Sequence, residues 1–312
     1  MDINKYVPRY KVAHKSLLCL AQLSSEEIFE YLYAARAMKQ KFRVRENPPI
    51  LKNKTIALLF DNVSMRTRLS FELGIRQLSG DCIFLPKDKT PLARGENMRD
   101  TAAIFERYGI AAAVLRGFSS EELNEFSASA NLPVLNGLSE NEHPLQVLSD
   151  LFTVWETKGK LENLKLAYLG SGNNVANSLI LGCSKVNMDI AIACPGDCSP
   201  ERWIVERGMQ FSNVTITEDV DEALRDADIV YTDIFPPCVQ NDEHKKAELL
   251  RYQVTDALLQ KAKPDALFMH CMPVCRGEEV SPEVMDGAQS VVYLQAENRL
   301  HMNKAALSML VH

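Results

Sequence analysis

Short apolar runs, each followed by an amphipathic stretch, recur along this chain and restrict its fold more than any other feature. Thr55-Ile56-Ala57-Leu58-Leu59-Phe60 is the clearest of them. It lacks the alternation of a half-exposed strand, so it reads as a strand buried on both faces, as in a parallel sheet. The pattern predicts strands at 55–60, 81–85, 111–116 and 133–135, helices at 66–79, 96–107 and 120–130, and a loop at 86–95. A long helix at 143–157 follows. The scheme then repeats, with strands at 165–169, 189–193, 214–217, 229–232 and 266–269 and helices at 175–186 and 200–210. An aperiodic loop at 234–247 and a last helix at 297–310 complete it. Alternation of this kind implies an α/β fold: parallel sheets flanked by helices. Ser24-Ser25-Glu26-Glu27 adds a capping box that opens an earlier helix.

With 312 residues, 46% of them hydrophobic, the chain is long enough for two such domains. Lys158-Gly159-Lys160 ends the long helix and suggests the boundary. The expected division is a first domain over 1–150, joined by the C-terminal helix 297–312, and a second over 151–296. A net charge of −6 argues against a nucleic-acid partner. Residues 1–16 carry Lys5, Arg9, Lys11 and Lys15 without the apolar core of a signal peptide, and no apolar run approaches the length of a membrane span. The eight cysteines lack paired C-x-x-C spacing and read as free thiols in a reducing compartment, so a cytoplasmic protein is expected.

The chemistry gathers where strands hand over to helices. Asp61-Asn62-Val63-Ser64-Met65-Arg66-Thr67-Arg68 follows the first strand and opens a helix. A helix N-terminus offers unpaired N–H groups and partial positive charge; hydroxyls and two arginines there make a site for a dianion. Arg116 closes another strand. His143-Pro144-Leu145-Gln146 opens the long helix, with His143 and Gln146 on one face, where ring and amide N–H groups suit a carbonyl oxygen. Asp233 ends a strand and suits an ammonium group; His270-Cys271-Met272-Pro273 ends another. Each also has a plainer reading taken alone. Arg116 could simply reach solvent, His143 cap its helix, Asp233 cap a turn, Cys271 be an inert thiol, and Arg299 pair with Glu297 on the surface. Gly170-Ser171-Gly172-Asn173-Asn174 has the G-x-G of a dinucleotide site but no third glycine in Val175-Ala176-Asn177, so a nicotinamide dehydrogenase is disfavoured. Its adjacent asparagines suit a carboxylate, or else a tight turn.

Together these pieces resemble the aspartate/ornithine carbamoyltransferase family over nearly the whole chain. Ser64-Met65-Arg66-Thr67-Arg68 is similar to the family's S-x-R-T-R loop. Glu96, Asp100-Thr101, Arg107-Tyr108, Asn136-Gly137-Leu138 and His143-Pro144-x-Gln146 follow in order. Gly172-Asn173-Asn174-Val175-Ala176-Asn177-Ser178, Asp233, the H-C-x-P element 270–273, Arg276-Gly277-Glu278-Glu279 and Glu297-Asn298-Arg299 resemble the ornithine branch. The resemblance implies the carbamoyltransferase fold, a homotrimer, no metal and no organic cofactor. It implies carbamoyl phosphate and ornithine as substrates, citrulline and phosphate as products. Ser64, the Met65 backbone, Arg66 and Thr67 would hold the phosphate. Arg116, His143 and Gln146 would polarise the carbamoyl oxygen, with Arg299 a further cation near it. The Cys271 and Met272 carbonyls would take the attacking amine, Asn174 the amino acid's carboxylate and Asp233 its ammonium.

Two segments depart from the family pattern. Where ornithine enzymes carry W-x-S-M-G, this chain has Ile234-Phe235-Pro236-Pro237-Cys238-Val239, so the hydroxyl and the hinge glycine are missing. The same chemistry on another amine, such as putrescine, an acylated ornithine or a different diamino acid, is therefore an alternative acceptor assignment. In the loop 86–95, Pro91 stands where a residue reaching a neighbouring subunit is usual, leaving Lys87, Lys89 and Arg94 as substitutes. A catalytically silent, ligand-binding paralogue is the remaining alternative, against which the intact phosphate loop speaks.

Overall fold

The computed structural model describes residues 2–61, 64–235 and 243–311. The chain divides into two compact units: Val7–Phe152 with Asn298–His312, and Met1–Tyr6 with Thr153–Glu297. They are called here the N-terminal and C-terminal units.

In the N-terminal unit, β1 (Thr55–Phe60), β2 (Asp81–Pro86), β3 (Ala112–Phe118) and β4 (Val134–Ser139) form one parallel sheet in the order β2-β1-β3-β4. Helices α1 (Ser25–Arg43), α2 (Met65–Gln77), α3 (Met98–Arg107) and α4 (Ser120–Ser129) precede or link these strands, and α5 (Pro144–Lys158) follows them. Ile56 to Phe60 are buried, as the unbroken apolar run requires. The capping box at α1 is present: Ser24 Oγ accepts the Glu27 N–H, and the Glu27 carboxylate accepts the Ser24 N–H at 2.9 Å.

The C-terminal unit carries β5 (Lys165–Leu169), β6 (Asp189–Ala193), β7 (Val214–Thr217), β8 (Ile229–Thr232) and β9 (Leu267–His270), parallel, in the order β7-β6-β5-β8-β9. Helix α6 (Asn174–Lys185) follows β5. Ala167, Leu169, Val230 and Phe268 form part of its core. The α/β class expected from the pattern is the class observed.

Strand order reverses at two places, between β1 and β3 and between β5 and β8. Loops leaving such neighbours part in opposite directions and open a crevice beyond the strand ends. Ser64 and Arg116 lie at the first reversal, the Gly170–Asn174 turn and Asp233 at the second.

Several element ends differ from expectation. The last helix is Val292–Leu310, so Glu297-Asn298-Arg299 lies inside it rather than near its start. Met302 through Leu307 are all buried, which leaves no apolar stripe from which its beginning could be read. The helices Val220–Leu224, Asp256–Leu259 and Pro282–Met285 are too short to show a helical period. The loop 86–95 holds two 3-10 turns, Lys87–Lys89 and Pro91–Arg94. Pro236, Pro237, Cys238, Val239 and Gln240 lie outside the described residues, and helix Glu243–Leu249 occupies the end of the expected loop. Among the described residues no helix is long and apolar enough to cross a membrane.

Candidate active site

In the N-terminal unit the chain leaves β1 and enters α2 with Ser64 as N-cap, its Oγ accepting the Thr67 N–H at 3.3 Å. That contact fixes the first turn and leaves other N–H groups pointing outward. Met65 is exposed, Arg66 partly so, and Thr67 is buried. The two arginines of the motif part company. Arg68 donates from Nε to Glu72 at 2.6 Å and lies over the Phe84 ring, 3.7 Å from its centroid. The sequence showed no acidic neighbour; the helix supplies one a turn later. Arg66 makes no ion pair among the described residues and is the cation left for an anion.

Arg116 is placed by a bulge. Leu115 pairs with Asn136 but Arg116 with Leu138, so Gly137 stands out of register. A Cβ at Gly137 would come within 3.2 Å of the Leu115 carbonyl oxygen. The close approach lets the Gly137 carbonyl accept from Arg116 Nη1 at 3.1 Å. Arg299 donates from Nη2 to Thr67 Oγ1 at 2.9 Å and is 6% exposed, so it is bound to the phosphate-loop helix and is not a surface ion pair. His143 is buried just before α5. Burial first, then the Arg299 and Arg116 guanidiniums, hold its imidazole well below the usual pKa, and the ring is neutral at pH 7. Gln146, on the same face, donates from Nε2 to Asp150 at 2.8 Å. Its Oε1 is buried without a partner among the described residues. The amide thus keeps its acceptor and one N–H hydrogen for other partners.

In the C-terminal unit, Gly170 ends β5 with φ +132° and Asn173 caps α6. Asn173 Oδ1 accepts the Val175 and Ala176 N–H groups at 2.9 and 3.1 Å, and its Nδ2 donates to Asp233 Oδ2 at 2.6 Å. Asn174 is partly exposed at the head of the helix. A Cβ on Gly172 would sit 2.3 Å from the Pro200 nitrogen, so this glycine serves packing and not a pyrophosphate. Asp233 is 8% exposed; its Oδ1 accepts from the Ile234 N–H at 2.7 Å and from Cys271 Sγ at 2.9 Å. The carboxylate is clamped by the residues that leave the two strands β8 and β9. Two groups of side chains hold donor atoms within 4.8 Å of one another, Asp233, His270 and Cys271, and Cys275, Glu278 and Glu279. In the first, Cys271 already bonds Asp233 and His270 bonds Glu279.

Comparison with known proteins decides the family. The aspartate/ornithine carbamoyltransferase carbamoyl-P binding domain matches residues 15–156, and the Asp/Orn binding domain of the same family matches 162–310. The chain belongs to the aspartate/ornithine carbamoyltransferase family. It is 43% identical to the ornithine carbamoyltransferase of Bacillus subtilis (strain 168), over 96% of this chain and 94% of that one. The ornithine carbamoyltransferase of Cenarchaeum symbiosum (strain A) is likewise 43% identical, over 95% of this chain and 98% of the relative. Among solved structures, the Pyrococcus furiosus ornithine carbamoyltransferase superposes with a TM-score of 0.93 at 36% identity, covering 96% of this chain and 98% of that one.

Within this carbamoyltransferase, sequence reading passed over Asp150, and it gave Asn173 and Glu279 places in the family motifs but no role of their own. Asn173 carried a signal: an asparagine just before an apolar helix is an N-cap, which commits its oxygen and leaves its amide hydrogen for a neighbour. Asp150 follows Gln146 by one helical turn, but only the fold shows that the pair is buried. Glu279 carried no local signal, because its partners lie on a strand and a turn that precede it.

Proposed function

We propose that this chain moves the carbamoyl group of carbamoyl phosphate to the side-chain amine of ornithine, forming a C–N bond, breaking the C–O bond to phosphate, and releasing citrulline and phosphate. The observation that carries this reading is the neutral His143 imidazole held among Arg116 and Arg299 in the unit that matches the carbamoyl-P binding domain. A neutral ring can donate to a carbonyl oxygen, and the two guanidiniums favour the negative charge that grows there as the tetrahedral intermediate forms. Ser64, the Met65 N–H, Arg66 and Thr67 hold the phosphate at the α2 N-terminus. The buried Gln146 Oε1 suits the carbamoyl N–H₂ group. In the other unit Asn174 takes the amino acid's carboxylate, Asp233 its ammonium, and the Cys271 and Met272 carbonyls the attacking nitrogen. The nitrogen attacks as free base, and one of its protons passes to the departing phosphate on the way to product. Positioning and charge stabilisation supply the acceleration without a covalent enzyme intermediate.

The family resemblance points to a homotrimer; the exposed apolar residues Met65, Leu69 and Leu73, which recur along one face of α2, support an interface with other copies of the chain. The described cysteines are all free, which supports a cytoplasmic setting.

Incubating the protein with carbamoyl phosphate and ornithine, putrescine, an acylated ornithine or another diamino acid, and measuring phosphate and ureido product, tests the assignment. Turnover is expected with ornithine. Turnover with another amine alone would support the second acceptor reading, which the Pro237-Cys238 substitution favours. Binding of carbamoyl phosphate without product from any amine would identify a silent paralogue.

A further inference from the structure

The turn after β9 is held in an unusual conformation. Met272 has φ +57°, a left-handed value that a residue bearing a side chain keeps only when its surroundings enforce it. One enforcing contact is the Met272 N–H, which donates to His270 Nδ1 at 2.8 Å. A backbone N–H has a hydrogen to give and no lone pair to share. His270 Nδ1 is therefore unprotonated, and the hydrogen of the neutral ring sits on Nε2. Nε2 faces Glu279 Oε1 at 3.2 Å, with both side chains fully buried. The same carboxylate oxygen accepts the Cys275 N–H at 2.5 Å. Glu279 reaches this place because the chain doubles back: the Glu278 N–H donates to the Cys275 carbonyl at 2.9 Å, and Gly277, at φ +89°, donates to the Val280 carbonyl at 2.8 Å. From the other side the His270 N–H donates to Gln295 Oε1 at 2.9 Å, and Gln295 Nε2 donates to the Tyr231 hydroxyl at 3.1 Å.

We propose that Glu279 is a positioning residue of the acceptor site: it selects the His270 tautomer that grips the Met272 N–H, and so aims the Cys271 and Met272 carbonyls at the attacking amine. The role rests on the carbamoyltransferase reading above. Glu279 Oε1 already accepts the Cys275 N–H, and as an acceptor it holds the ring hydrogen on Nε2 from the far side of the imidazole. Without it the ring can carry its hydrogen on Nδ1. An N–H would then face the Met272 N–H and the turn would be released.

Nitrogen-15 spectra of histidine-labelled wild-type protein, with the His270 signal identified by its loss in His270→Asn, test the tautomer directly. The Nε2–H form is expected at neutral pH; an Nδ1–H ring or an imidazolium would overturn the proposal. Steady-state kinetics test the consequence. Glu279→Gln keeps an acceptor oxygen and is expected to stay within roughly threefold of wild type. Glu279→Leu removes it and is expected to raise the ornithine KM by ~10- to 100-fold and to lower kcat. Carbamoyl phosphate affinity, measured by calorimetry, is expected to change by less than about twofold, because its proposed ligands lie on other strands. A Glu279→Leu protein with unchanged ornithine kinetics, or one that loses both substrates equally, refutes the positioning role. Where Glu279→Leu fails to fold, the wild-type nitrogen spectrum decides alone. A wild type that binds carbamoyl phosphate yet carbamoylates no amine removes the transferase reading and the positioning role together; an active wild type beside an unaffected Glu279→Leu removes the positioning role only.

Discussion

Arg66 and Arg68 are two residues apart in one helical turn, yet their environments assign them different work. Arg68 is spent on Glu72 and Phe84, while Arg66 has no acidic partner among the described residues. Arg66→Ala is therefore expected to lower kcat/KM for carbamoyl phosphate by ~10²- to 10³-fold, whereas Arg68→Ala should cost less than about tenfold. Steady-state assays on both variants check this; equal losses would remove the distinction. His143 sets a second expectation. Its pKa is depressed, so it stays neutral as pH falls through 6.5, and activity should not track its titration near neutrality. The amine, with a pKa near that of lysine, governs instead: kcat/KM for ornithine should rise about tenfold per pH unit between pH 6 and 8. The strand-to-helix turn proposed as the dianion site was legible in the sequence because strand, serine, arginine and helix start are contiguous. Which arginine stays without an ion pair was not, because Phe84 comes from another strand and Glu72 from the next turn. The Gln146–Asp150 bond was not legible for a similar reason: it takes one amide hydrogen in a site that only the fold shows to be buried.

Helix Val292–Leu310 carries an unusual burden at the scale of the element. Lys304 is 1% exposed, donates to Gln77 Oε1 at 3.0 Å, and has its pKa pushed down by burial to about 8. Between that value and the 10.5 of an unperturbed lysine, the unfolded chain binds a proton that the folded chain does not. Stability from this group thus rises with pH across that window, and below pH 8 its full penalty, on the order of 3 kcal/mol, applies. Lys304→Met is expected to stabilise the protein by about 2 kcal/mol at pH 7, with the gain fading toward pH 10.5; urea unfolding at several pH values measures it. Gly172→Ala should act oppositely. Its Cβ meets the Pro200 backbone, and forcing that contact is expected to cost ~1–3 kcal/mol and to displace Asn173, seen as a lower Tm and a higher ornithine KM. The strands of this chain were readable as unbroken apolar runs and the longer amphipathic helices from their period. The C-terminal helix was readable only in part, because burial on every side erases the stripe that marks an end.

At the scale of the whole molecule, alternation foretold parallel sheets but not their strand orders. Those orders follow from which way each crossover turns, and they bring the functional loops to the two reversal points. The apolar face of α2 leads to a prediction about the proposed homotrimer: Leu69→Asp with Leu73→Asp should lower the mass in light scattering to that of a monomer, while a mass equal to that of wild type would place any interface elsewhere. The membership of the last helix has one more consequence. Arg299, which ties down Thr67, lies in the stretch Asn298–His312, which is synthesised after the whole of Thr153–Glu297 although it completes the unit begun at Val7. A nascent chain arrested before Asn298 is expected to hold a folded C-terminal unit beside an unfinished phosphate loop, and protease protection of arrested chains would reveal it. Competence for the mixed anhydride then waits until the second unit has been made, so a polypeptide stalled within that unit has no means of sequestering it.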